Sequence, residues 1–260
     1  MTPTAGTLSW AAVGALAGLP LVGLRVLCWS RGTGKQFPVV EEMHRLQLQI
    51  VTPWFSRMNR GHVVAMMVFE VVPVLLLLLP AAQGVLSTWG GSLLNLLDPM
   101  PLSQTNDMAL GQGAWEARDF LLRTAGLLLT AAIAAAGRGM ELSPDEDEYE
   151  VIQTAMANAD RYYRVMAMDV RNRGADADRA ALAFKCVAQV WLETRSDASL
   201  LAAVLVFADV MYLGGLWYFT GNLAAPAVAA LTSSYVDYHY LHEAVEEKVA
   251  KSSDSSSGRA

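Results

Sequence analysis

The chain has 260 residues, 53% of them hydrophobic and 17% charged, and a formal net charge of -6. Ordinary soluble domains carry roughly 25% charged residues, so the composition excludes a purely aqueous globule. The acidic balance excludes a nucleic-acid binder, which needs a basic surface for phosphates, and two isolated cysteines, Cys28 and Cys186, exclude a disulfide framework.

The first apolar run covers residues 8–29. Trp10 and Trp29 stand about 28 Å apart along a helix, as interfacial aromatics do. Arg25, close to the end of the run, has a stem long enough to reach the interface. Gly14 and Gly18 form a small-xxx-small spacing whose role is helix packing. No Lys or Arg precedes the run, so a cleaved secretory leader is not expected and the run counts as a span. Gly32, Thr33, Gly34 and Lys35 have too few residues between the glycines for a phosphate-binding loop.

The second run, residues 63–86, begins with twenty residues whose one ionisable side chain is Glu70. Twenty helical residues reach about 30 Å, the thickness of a bilayer's hydrocarbon core. An acid at that depth must be protonated, paired or turned to a polar interior. Pro73 lies near the same helix face and frees a backbone carbonyl about one turn earlier. Glu70 is therefore expected to bond a neighbouring helix or that backbone, with a proton relay as the alternative. The third run, residues 120–137, carries Arg123 in its first turn.

Residues 139–198 are expected to form an amphipathic helical hairpin. Ser143 and Pro144 suit a helix start, and the acids that follow complement a helix N-terminus; the acidic run lacks the alternating ligands of a calcium loop. Ile152, Met156, Ala159, Tyr163 and Met166 recur at spacings of three and four. Asn172, Arg173 and Gly174 break the pattern. A second helix over residues 177–194 would pack through Leu182, Val187, Val190 and Trp191. The hairpin is expected to lie against the protein's own spans or a neighbouring subunit, because a strongly basic face for lipid is missing.

The fourth run, residues 199–219, has Asp209 near its middle, and Arg123 is a candidate partner for either Asp209 or Glu70. Residues 223–231 are too short to span and contain Pro226, so residues 220–251 read as membrane-surface or packing helices and residues 252–260 as a disordered tail. His239 and His242 share a helix face, but neither a zinc-protease nor a di-iron pattern accompanies them. They are expected at the surface or an interface, and no metal or cofactor is expected beyond bound phospholipid.

Basic residues test this division. Five fall between residues 31 and 60, one between spans two and three, eight between residues 138 and 195, and three in the tail. Rich and poor loops alternate, which places the two long loops inside and both termini outside. The expected fold is all-α, an integral membrane protein with about four transmembrane helices and an inner-face amphipathic hairpin. The expected function is that of a non-catalytic accessory subunit, bound to other membrane subunits and lipids, in a respiratory-chain or ATP-synthase complex of the mitochondrial inner membrane. The long loops would then face the matrix and the termini the intermembrane side. Two alternatives stand beside it: a small-solute or proton transporter using Glu70 and Asp209, and a membrane-shaping protein.

Overall fold

A computed structural model of the chain describes residues 5–73, 80, 84–85, 88–89, 92, 112–167 and 174–257. All regular structure among them is helical: α1 (Ala5–Trp29), α2 (Arg31–Gln36), α3 (Pro38–Phe55), α4 (Arg60–Pro73), α5 (Gln112–Leu142), α6 (Glu146–Ala167), α7 (Gly174–Thr220) and α8 (Ala224–Ser257). Three described stretches, Ser9–Trp29 of α1, Arg123–Leu142 of α5 and Asp176–Thr220 of α7, are long and apolar enough to cross a membrane. The second expected span begins as α4, and most of its remainder lies outside the described residues.

The helices pair into two halves. α1 lies along α8, which also carries α4; α5 lies along α7, and α7 touches α8 to join the halves. Facing residues rise together along α1 and α8, with Gly14 on Ala225, Gly18 on Ala229, and Trp29 beside Tyr240, so these two helices are parallel. The C-terminal end of α8 therefore lies at the end of the bundle that carries the hairpin, opposite the start of α1. Both chain ends were expected on one side. The difference arises because α8 is a continuous helix of 34 residues that returns along the whole bundle. Gly221, at φ 62°, makes the turn into it, a conformation that glycine adopts without steric cost. Asn222 then accepts the Ala224 N–H on its side chain at 2.8 Å, and Pro226 falls within the first helical turn, where its missing donor is harmless. Ser252 to Ser257, expected as part of a disordered tail, end this helix.

α3 crosses the hairpin end of the bundle. Its Met43 and Leu46 pack with Leu142 of α5 and Ala198 and Ala202 of α7. At its far end Phe55 packs with Val63 of α4 and with Leu241 and Val245 of α8. Ser30 caps α2, accepting the Thr33 N–H at 3.2 Å, so the glycine-rich stretch after α1 is a short helical connector into α3.

The hairpin departs from expectation in three ways. Its second helix and the fourth span are one 47-residue helix, α7, about 70 Å long at 1.5 Å per residue. Asp145, two residues after Ser143, accepts the Glu146 and Tyr149 N–H groups at the start of α6. Leu182, Val187 and Val190 are exposed rather than packed. Ala177, Ala181, Phe184, Ala188 and Trp191, at spacings of four and three, form the covered face instead, and its small alanines let α6 approach closely. On α6 the covered stripe is Ile152, Met156, Ala159 and Tyr163, while Met166 points outward. Beyond the connection at its base, α6 is held by α7.

Candidate functional site

The seam between α1 and α8 sets the site. A Cβ on Gly14 would collide with the Ala225 carbonyl oxygen, and one on Gly18 would stand 3.1 Å from the Ala229 Cα. Ala225 and Ala229 are themselves fully buried. Such close backbone approach is what small residues at this spacing permit, and it aligns the polar side chains one to three turns further on.

There Arg25 of α1 is clasped by two carboxylates from different helices. Its Nη2 donates to Asp209 of α7, and its Nε lies 3.1 Å from Asp237 of α8. The second approach is an ion pair without hydrogen-bond alignment, so the buried Nε–H has no aligned acceptor. Asp237 also accepts the Trp29 Nε1–H at 3.0 Å, and Tyr212 of α7 donates its hydroxyl to the Ala17 carbonyl at 2.5 Å. Arg25 thus turns inward as the electrostatic tie between the halves, instead of reaching for an interface. It also takes the place at Asp209 for which Arg123 was the candidate. Arg123 lines a separate cavity of about 400 Å³ toward the opposite end, with Phe120 and Thr124 of α5 and Met211 and Tyr218 of α7.

Below the tie, Trp29 is a ring sandwich. His44 of α3 stacks on it at 3.9 Å between centroids and 10° between planes, and Tyr240 of α8 lies against it at 5.8 Å. Burial, with a smaller contribution from the Arg25 charge, lowers the His44 pKa to about 4, so the imidazole is neutral at physiological pH. Of the two histidines expected at the surface or an interface, His242 is turned inward between helices. Its side chain is buried beside Phe55 with Nε2 3.4 Å from the Met58 carbonyl oxygen, whereas His239 is exposed.

Glu70 of α4 accepts the hydroxyl of Tyr238 on α8. Pro73 stands at the end of α4, exposed. The tyrosine contact is an interhelical bond of the kind set out for Glu70 against a relay, although Glu70 is also exposed and faces open space. That space is a cavity of about 560 Å³, floored by Met43, Gln47 and Ile50 of α3 and walled by α1, α4, α5, α7 and α8. Arg25, Glu70, Arg138, Glu141, Asp237 and Tyr238 all line it. Arg138 bonds Glu141 through Nη1 at 2.5 Å. Asp209 stands behind the wall, outside the lining.

Of the expected residues, the fold brings Gly14 and Gly18 to the α8 seam, Asp209 to the ion cluster and Glu70 to the cavity. Arg25, Arg138, Glu141, Asp237 and Tyr238 were missed. The available signal was an arginine within an apolar run together with acids late in the chain. Among the described residues no three His, Cys, Asp or Glu side chains are placed to hold a metal ion. The cavity presents fixed positive and negative groups side by side above apolar walls, an arrangement suited to holding a ligand that carries both charges.

No family model matches the chain, and comparison with curated proteins and with solved structures likewise gives no match.

Proposed function

We propose that the protein is a non-catalytic membrane subunit that docks a larger assembly through its hairpin. The observation that supports this is the apolar face left uncovered on α6 and on the N-terminal half of α7. Leu182, Val187 and Val190 are 60–69% exposed, and Val151, Val165 and Met166 on α6 are 59–68% exposed. They lie on the part of the chain that α7 carries beyond its apolar half, since about 70 Å of helix far exceeds the roughly 30 Å of a bilayer's hydrocarbon core. Leu16, Leu19, Ile133 and Phe219 on the apolar helices are exposed as well, which suits lipid. The same exposure on the hairpin favours a protein surface, because exposed apolar patches mark interaction sites. The hairpin region has more acids than bases, which favours a protein partner over an anionic membrane surface and weighs against membrane shaping. A respiratory-chain or ATP-synthase complex of the mitochondrial inner membrane is the assembly to look for first.

A transporter would want Glu70 and Asp209 on one water-filled path. Glu70 lines the cavity, but Asp209 is bound to Arg25 outside its lining, which leaves that alternative with less support.

Native electrophoresis after mild detergent extraction, with mass spectrometry of the co-migrating proteins, tests the proposal. Wild-type protein is expected in a particle of several hundred kilodaltons, and the triple substitution Leu182→Glu, Val187→Glu, Val190→Glu is expected to release it as a folded monomer. Wild-type migration as a lone monomer or homodimer would refute docking.

A further inference from the structure

We infer that the cavity beneath α1 and α8 is a binding site for one phospholipid whose headgroup carries a phosphodiester and a primary ammonium, as in phosphatidylethanolamine. A volume of about 560 Å³ falls within the roughly 300–1,000 Å³ of small-ligand sites. The inference is independent of what covers the hairpin.

The charge inventory selects the headgroup. Among the described residues, two guanidinium groups, Arg25 and Arg138, and three carboxylates, Glu70, Glu141 and Asp237, face the cavity. Arg138 spends Nη1 on Glu141, and the rest of its planar fork matches a phosphodiester. Glu70 spends Oε2 on the Tyr238 hydroxyl and Glu141 spends Oε2 on Arg138. Each keeps its other oxygen as an acceptor, and an ammonium with three N–H donors fits such acceptors.

A purely anionic lipid would meet more negative than positive charge in this lining. A quaternary choline has no N–H to give the carboxylates, and it is held instead by aromatic cages; among the described residues, Phe55 and Tyr238 are the two aromatic side chains that line the cavity. A soluble zwitterion would leave the remaining walls, Met43, Val51, Met66, Leu205, Val206 and Leu241, unmatched. Those walls suit the glycerol ester region and upper chain carbons of a lipid.

The test is native mass spectrometry of the purified full chain equilibrated with equimolar phosphatidylethanolamine, phosphatidylcholine and phosphatidylglycerol of matched chains. One phosphatidylethanolamine per protein is expected, at least fivefold over either competitor, with the preference falling as the amine is successively methylated. Glu70→Gln and Arg138→Gln should each bring the ratio near that of the mixture without lowering the melting temperature in lipid-free detergent. Wild-type binding in proportion to the mixture, or led by phosphatidylglycerol, overturns the assignment. Displacement by an equal concentration of glycerophosphoethanolamine would overturn the lipid part of it, since the ligand would then be the soluble headgroup.

Discussion

Arg25 shows how one residue's environment decides its role. Its guanidinium and both partner carboxylates are 17–23% exposed, so the cluster is desolvated enough that removing one member leaves charge without compensation. Arg25→Gln is expected to destabilise the fold by about 3 kcal/mol, the low end for a broken buried pair, measured as thermal unfolding in detergent. Adding Asp209→Asn and Asp237→Asn should recover most of the loss; a triple variant no better than the single one would show that the cluster is not what joins the halves. His44 gives a second residue-scale expectation. Its pKa is lowered from 6.5 to about 4 by burial, so between those values the unfolded chain binds the proton that the folded chain refuses, and stability is lost as pH falls through the window. Unfolding temperatures between pH 7 and 4 should show this loss, and His44→Phe, which keeps a ring against Trp29, should flatten the part due to this residue.

At the scale of elements, the α1–α8 seam makes a sharp contrast between glycines. Gly14→Ala places a methyl group against the Ala225 backbone, whereas a Cβ on Gly23 meets nothing within 4 Å. The first substitution is expected to cost about 2 kcal/mol by overpacking. The second is expected to be neutral or stabilising by up to about 1 kcal/mol, through helix propensity. Equal melting temperatures for the two variants would contradict the close approach. The apolar runs, the hairpin stripe on α6 and the small-residue spacing of α1 were legible in the sequence, because each is a local pattern with a helical period. α8 was not. Length and hydropathy recognise a helix that faces lipid, but Asp237 and Tyr238 satisfy their polar groups on Arg25, Trp29 and Glu70, and those pairings are invisible until distant segments are brought together. The outward turn of Leu182, Val187 and Val190, away from α6, was hidden for a related reason. Large aliphatic side chains are the natural choice for a core, and only the closeness of α6 shows that alanines fill it.

For the whole molecule, the parallel course of α1 and α8 makes a topological prediction. Cys186 on the hairpin is exposed, so in a Cys28→Ser background an impermeant maleimide should label it from the same side on which a C-terminal tag is accessible. An N-terminal tag should be reached from the other side, and accessibility of both tags from one side would contradict the arrangement. The cavity residues belong to this scale as well, since four helices must assemble before Arg25, Glu70, Arg138 and Asp237 share a space. No short segment of sequence contains that set.

α7 also has a mechanical consequence. A single rod is gripped near its middle, where Ala198 and Ala202 are clamped by Met43, Leu46 and Leu142. About 39 Å of helix extends toward the hairpin tip from the centre of that collar, and Asp209 sits about 13 Å beyond it on the other arm. The collar is a fulcrum. A partner that tilts the hairpin sideways would load the other arm in the opposite direction; that arm lies along α5 and touches α8, and the load would fall on Asp209 and its bond to Arg25. What grips the hairpin outside would thereby be felt at the charged tie inside, through leverage alone and without any helix having to unwind.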